Sequence, residues 1–96
     1  MEGENLRAKV KRTHHESPDV IIGKKGVTRE VLREIDRRLK SKEIVKVRIL
    51  RSGIESEGAD RREIAREVAR MLGARLMGVR GRTFVLYRRR RGEGRV

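Results

Sequence analysis

Residues Gly23-Lys24-Lys25-Gly26 carry the clearest chemistry in the sequence. A short apolar run, Val20-Ile21-Ile22, leads into them, and Thr28 followed by Val31, Leu32, Ile35 and Leu39 has the pattern of a helix that starts just beyond. A strand that turns through two glycines into a helix presents unpaired backbone N–H groups at a helix N-terminus, where negative charge is favoured. Two ammonium groups on the same turn make phosphate the natural anion.

Other candidate chemistry is weaker. His14-His15-Glu16 has residue types suited to a metal or to acid–base work, but adjacent histidines lack the spacing of a known ligand set, and no cysteine or second histidine cluster completes one. An exposed turn that touches a nucleic acid is the simpler reading. Asp60 and Glu63 look like paired carboxylates, yet their spacing ahead of an apolar-periodic run is that of a capping box with Asp60 as the cap. No nucleophile has a base beside it, and the phosphate-loop pattern Gly-x-x-x-x-Gly-Lys-Ser/Thr is missing. A binding protein with no catalytic residues, no metal and no cofactor is expected.

Charge says what is bound. Lys and Arg number 27 against 14 Asp and Glu, a net +13 over 96 residues that make one small domain. An excess of that size is typical of a polyanion binder, so nucleic acid or an acidic membrane surface is the expected partner. Apolar runs are only a few residues long, too short for a membrane span or a signal-peptide core, and a cytoplasmic location is expected. The absence of cysteine excludes disulfides, a thiolate metal site and a cysteine nucleophile. Absent Gln, a single Asn and 43% charged residues point to a thermophilic source. Phe84 and Tyr87 are the only aromatics and fall in one predicted strand, too few to stack bases on surface rings. Recognition of backbone and shape is left, which suits a folded RNA.

The elements that must position these residues follow from periodicity. Residues 1–17 form a polar arm whose apolar residues after Met1 are Leu6, Ala8 and Val10; it could form a short helix, but a loosely docked or partly disordered arm is expected. Pro18 ends it, and a strand at 19–22 enters the glycine turn. In a helix at 29–40 capped by Thr28, Val31, Leu32, Ile35 and Leu39 share one arc, while Arg29, Arg33 and Arg37 form a row on the opposite side. That row suits a phosphate track or a solvated face, and both readings stay open.

Alternation of Val45, Val47 and Ile49 against Lys46 and Arg48 predicts a half-buried strand at 44–50. Residues 52–58 carry turn residues and predict a loop. A second helix is expected at 61–72, with Gly73 as its stop. Strands at 74–80 and 83–88 are joined at Gly81-Arg82, as a two-residue hairpin with glycine in its first central position. Residues 83–87 are apolar on both faces and predict an interior strand. Arg88, Arg89, Arg90 and Arg91 then leave the sheet as a basic tail suited to nonspecific phosphate contacts.

The fold class expected is α/β: a two-layer β-α-β-α-β-β arrangement with two helices packed on a four-stranded mixed sheet. An arm at 1–17, a binding domain at 18–88 and a tail at 89–96 make up the chain.

Four stretches also carry a family likeness: His14-His15-Glu16-Ser17-Pro18-Asp19-Val20-Ile21-Ile22-Gly23, Gly23-Lys24-Lys25-Gly26-Val27-Thr28, Glu43-Ile44-Val45-Lys46-Val47-Arg48-Ile49, and Gly81-Arg82-Thr83-Phe84-Val85-Leu86-Tyr87-Arg88. In this order and spacing the chain resembles the CRM domain (chloroplast RNA splicing and ribosome maturation), in particular its stand-alone YhbY-like members in bacteria and archaea. The resemblance implies a fold similar to the C-terminal domain of translation initiation factor three, with RNA bound through the glycine loop and the adjoining basic surface. Stand-alone members are associated with assembly of the large ribosomal subunit, and plant relatives with organelle intron splicing.

The upstream segment departs from the family, which has a longer leucine-rich stretch there. On this reading Gly23, Lys24, Lys25, Gly26, Thr28, Arg29, Arg33 and Arg37 contact ribosomal RNA with the four arginines of the tail, and the protein acts as a monomer. The alternative is an Alba-like chromatin or RNase P-associated protein, a dimer that shares a similar fold and an Ile-Gly-Lys-Lys stretch, here Ile22 to Lys25.

Overall fold

The structure is a computed structural model that describes residues 5–89. In chain order it contains α1 (Leu6–Thr13), β1 (Val20–Ile22), α2 (Arg29–Lys42), β2 (Ile44–Ile49), α3 (Arg51–Glu57), α4 (Arg61–Leu72), β3 (Arg75–Arg80) and β4 (Thr83–Tyr87). The strands form one mixed sheet in the order β1-β2-β4-β3, with β1 parallel to β2 and the other pairs antiparallel. This is the α/β fold with a four-stranded mixed sheet expected from the pattern, and it adds two helices.

Alternation along the strands sorts the core onto one face. Ile22, Val45, Val47, Ile49, Phe84 and Leu86 are fully buried with Ile35 and Leu39 of α2 and Ala65 and Val68 of α4. Thr28 Oγ1 accepts from Val31 N at 3.0 Å and starts α2. Asp60 and Glu63 close the expected capping box, at 2.9 Å for Glu63 N to Asp60 Oδ1 and 3.2 Å for the return bond. Gly73, at φ +62°, ends α4 in the left-handed conformation that glycine adopts without a Cβ clash. As its apolar pattern requires, β4 is interior, with Phe84, Val85 and Leu86 fully buried between β2 and β3.

The arm at residues 1–17 is not loose where it is described. Asn5 caps α1 by accepting from Ala8 N, and the helix docks Val10, 8% exposed, with Leu6 against Ile44, Val85, Met77 and Tyr87. These residues lie on the opposite face from the main core, so α1 adds a partial third layer. Lys46 provides the latch. Its Nζ, carried on a residue only 7% exposed, donates to the carbonyls of His14 at 2.8 Å and Glu16 at 2.5 Å. Asp19 joins the same strand through Lys46 N to Oδ2, 2.9 Å, and its own N–H to Lys46 O, 2.8 Å. A pattern that counts apolar anchors cannot register a clamp made by a lysine and two carbonyls some thirty residues apart.

A second correction concerns residues 52–58, expected as a loop. They lie in α3 and its Gly58 cap, whose N–H donates to Ile54 O. Gly53, a poor helix former, is required by close packing: a Cβ there would stand 2.9 Å from Gly23 O and 3.0 Å from Ile22 O. Contact with the β1–loop junction, together with Ile54 against the core, overrides local propensity.

Candidate nucleic-acid interface

The glycine loop is a closed four-residue turn. Gly26 N donates to Gly23 O at 2.8 Å, which leaves Lys24 and Lys25 exposed at the tip. Gly26 sits at φ +77°, and a Cβ there would collide with the Glu57 carboxylate, so both backbone and space demand glycine. Glu57 reaches over from the end of α3, and its Oε2 accepts from Val27 N at 2.6 Å. One loop amide is thus already occupied by a carboxylate, whereas Lys24 and Lys25 have no partner among the described residues.

The remaining expected contacts divide. The acceptor of Thr28 is spent on its own helix cap. The side chains of Arg29 and Arg33 are exposed and make no hydrogen bond or ion pair among the described residues. Arg37, exposed too, is held by Glu34 at 2.7 Å (Nη2 to Oε2) and 3.3 Å (Nε to Oε1), and Arg38 donates to the same carboxylate at 2.8 Å. These bonds hold the Glu34 carboxyl below its ordinary range.

Arg88 does not belong with the tail. Its guanidinium turns inward to Asp36 Oδ1 at 2.8 Å and to the Leu72 carbonyl at 2.9 Å, because β4 ends beside α2 and the end of α4. Burial works against the Asp36 charge, but the hydrogen bonds from Arg88 and Lys40 win and lower its pKa. Arg89 is exposed, and Arg90 and Arg91 lie outside the described residues.

Topology gathers further cations at the loop end of the sheet. Ile22 pairs with Ile49 in parallel register, so the glycine loop and the Leu50-Arg51 step leave the sheet at the same edge. Ile49 N donates to Arg82 O at 2.7 Å, which brings the Gly81-Arg82 hairpin to that edge as well. Arg51 and Arg82 are exposed there with Lys24 and Lys25. Sequence reasoning missed Arg51 and Arg82 as contacts: Arg51 belongs to no motif, Arg82 reads only as a hairpin residue, and only strand order brings them to the loop.

His14 and His15 sit in different environments. His15 is exposed and His14 lies half-buried over Gly78. Among the described residues no group of three or more His, Asp or Glu side chains could hold an ion, and no helix is long and apolar enough to cross a membrane.

The chain is similar to known proteins along most of its length. It is 37% identical over 87 residues to "Probable RNA-binding protein MJ0652" of Methanocaldococcus jannaschii, a match that takes in 91% of this chain and 60% of that relative's length. It is 28% identical over 86 residues to "Probable RNA-binding protein YqeI" of Bacillus subtilis, covering 90% of this chain and 85% of the other. The solution structure of the hypothetical protein SAV1595 from Staphylococcus aureus superposes with a TM-score of 0.65 at 27% identity, over 91% of each chain. Residues 1–88 match the CRS1 / YhbY (CRM) domain. With the match running from the α1 segment through the glycine loop to the end of β4, the chain belongs to the CRS1 / YhbY (CRM) domain family.

Proposed function

We propose that this protein binds folded ribosomal RNA by its phosphate backbone, assists maturation of the large ribosomal subunit, and carries out no chemistry of its own. The observation that carries the reading is the closed Gly23–Gly26 turn, which holds two unpartnered lysines at the tip of a strand–helix junction. Support comes from the RNA-binding names of two relatives, and the large-subunit part of the reading is what the family resemblance implies.

In this reading the loop lysines and the free Lys24 and Lys25 amides hold phosphates, Arg29 and Arg33 extend the track along α2, and the residues after Arg88 add affinity with little specificity. Thr28 orients the helix that carries the track. The family match favours this over an Alba-like dimer.

The test is binding of a large-subunit ribosomal RNA fragment and of a random RNA duplex across a salt series, with sedimentation to fix the oligomeric state. A monomer whose log affinity falls steeply with log salt, and which prefers the ribosomal fragment, agrees with the proposal. A flat salt dependence, or a dimer that prefers duplex DNA, overturns it. Crosslinking in the source cells would then name the RNA element.

A further inference from the structure

The sheet is fully covered on one face only. On the other, α1 packs over Ile44, Val85, Met77 and Tyr87 and leaves open the end nearest the glycine loop. One cross-strand row crosses that end: Ile21 pairs with Arg48, Arg48 with Thr83, and Thr83 with Arg80. Directly paired residues share a face, so three interstrand steps give a row about 14 Å long. Arg48 and Arg80 are exposed, Ile21 is 51% exposed, and neither guanidinium has an ion-pair or hydrogen-bond partner among the described residues.

The row runs into a groove between α1 and β3. This cavity, about 340 Å³, has an apolar floor of Val10, Met77 and Val79 with Gly78, and its polar lining is Arg7, Lys11, His14 and Arg80, with no carboxylate. Arg7 and Lys11 stand at i and i+4 on α1, and His14 follows at i+7 as the C-cap, so the three line one side. The His14 ring lies on Gly78, where a Cβ would stand 2.9 Å from Nε2, and its Nδ1 is buried with no hydrogen-bond partner. Stacked like charges weaken a helix, and an anion in the groove relieves the repulsion between Arg7 and Lys11.

We propose that the Ile21–Arg48–Thr83–Arg80 row and the Arg7–Lys11–His14 groove form a second RNA-backbone contact, continuous with the Gly23–Gly26 loop around one end of the sheet. The occupant is the same RNA that the loop holds, so the inference rests on the RNA-binding reading. Ile21 lies two residues before Gly23, and Arg82 follows the row at the hairpin, so no gap separates the two surfaces. The guanidinium groups of Arg48 and Arg80 supply forked donors for phosphate oxygens, and exposed Ile21 lies beside Arg48 for apolar contact with a ribose.

Two double variants separate this surface from the loop: Arg48→Ala/Arg80→Ala and Lys24→Ala/Lys25→Ala. A third, Arg7→Ala/Lys11→Ala, tests the groove from exposed helix positions without touching the sheet. The probe is a labelled large-subunit ribosomal RNA fragment, measured by anisotropy across a salt series, with the His14 ring resonances followed by NMR as RNA is added. The sheet variant is expected to bind about tenfold more weakly, with a salt slope lower by about 1.4 to 1.8 and an unchanged Tm. The groove variant should lose affinity in the same direction, and the His14 resonances of the unsubstituted protein should shift on binding.

Sheet and groove variants that bind as the unsubstituted protein, with unmoved His14 resonances, overturn the second contact, and the loop reading stands if the lysine variant alone loses binding. Loss of affinity with no change in salt slope also overturns it, because phosphate contact must release counterions. If the sheet variant loses binding and the lysine variant does not, the second contact stands and the loop assignment fails. If no variant loses binding, both fail.

Discussion

The Arg88 guanidinium donates to the Asp36 carboxylate at 2.8 Å and to the Leu72 and Asp36 carbonyls at 2.9 and 3.2 Å, tying the end of β4 to the middle of α2 and the end of α4. An arginine that begins a basic run thereby serves the fold. Replacing Arg88 with Ala removes the side-chain donor to the Leu72 carbonyl and leaves the half-buried Asp36 carboxylate to Lys40, and is expected to lower stability by about 1 to 2 kcal/mol. Thermal unfolding should show the loss, while salt-corrected RNA affinity at a temperature where the variant is folded stays within about twofold. A variant as stable as the parent but defective in binding would return Arg88 to the interface.

Glu57 makes the opposite case, an acidic residue placed on the loop. Its carboxylate accepts from Val27 N at 2.6 Å, so it steadies the turn and opposes an approaching phosphate. Glu57→Gln keeps an acceptor and removes the charge; RNA affinity should rise by about two- to threefold, the scale of one exposed charge interaction. Gly26→Ala meets the same carboxylate and a φ of +77°, and should destabilise the protein by about 1 to 3 kcal/mol. Combining Gly26→Ala with Glu57→Ala should recover only the steric part, since the left-handed backbone remains. Full recovery in denaturant titrations would show that backbone conformation there is indifferent.

Burial holds the His14 pKa below its ordinary value of 6.5, and the charges of Arg80, Lys46 and His15 push it the same way. The unfolded chain therefore binds the proton more readily than the folded one, and stability rises with pH through the interval between the two pKa values. The His14 contribution is complete above about pH 6.5 and falls as the pH drops below it. His14→Phe, an uncharged ring over Gly78, should flatten the stability profile just below pH 6.5. Asp36, Asp60, Glu34 and Glu67 have lowered pKa values, so their contribution is present above the ordinary carboxylate range and is lost on further acidification. Urea midpoints across pH separate the two: equal slopes for parent and variant between pH 5 and 6.5 would remove His14 as the cause.

What the sequence shows depends on whether a signal is local. Thr28, Asp60 with Glu63, and Gly73 each announce a helix end within a few residues, the apolar alternation of β2 sets its faces and the unbroken apolar run of β4 marks it as interior; all of this was legible. The α1 dock was not, because it depends on Lys46, which alternation marks as solvent-facing and tertiary structure buries against two carbonyls. Nor was α3, whose Gly53 looks like a breaker until Gly23 O stands against it. Of the candidate site, the glycine loop and its lysines could be named in advance. Arg48 could have been suspected from the polar half of its strand, but only the register Arg48–Thr83–Arg80 makes a surface of it.

The loop and the tail are both basic, and affinity alone does not say which recognises RNA. Lys24 and Lys25 sit on a turn closed by the Gly26–Gly23 bond and braced by Glu57, so their phosphate-binding geometry exists before RNA arrives. Preorganised donors discriminate between shapes, whereas donors ordered on contact add attraction of little selectivity. Lys24→Ala/Lys25→Ala is therefore expected to weaken binding to a ribosomal RNA fragment more than binding to a random duplex. Deletion must spare Arg88, whose ties belong to the fold, so the matching variant ends at Arg89 and removes residues 90–96. It should weaken both ligands about equally, and each phosphate that either variant leaves without its cation should lower the salt slope by roughly 0.7 to 0.9. The lysine variant should unfold at the parent temperature, because Lys24 and Lys25 are exposed and lie outside the buried core. If the deletion selectively abolishes binding to the ribosomal fragment while the lysine variant binds like the parent, the Gly-Lys-Lys-Gly segment is only a strand-to-helix turn and recognition belongs to the tail.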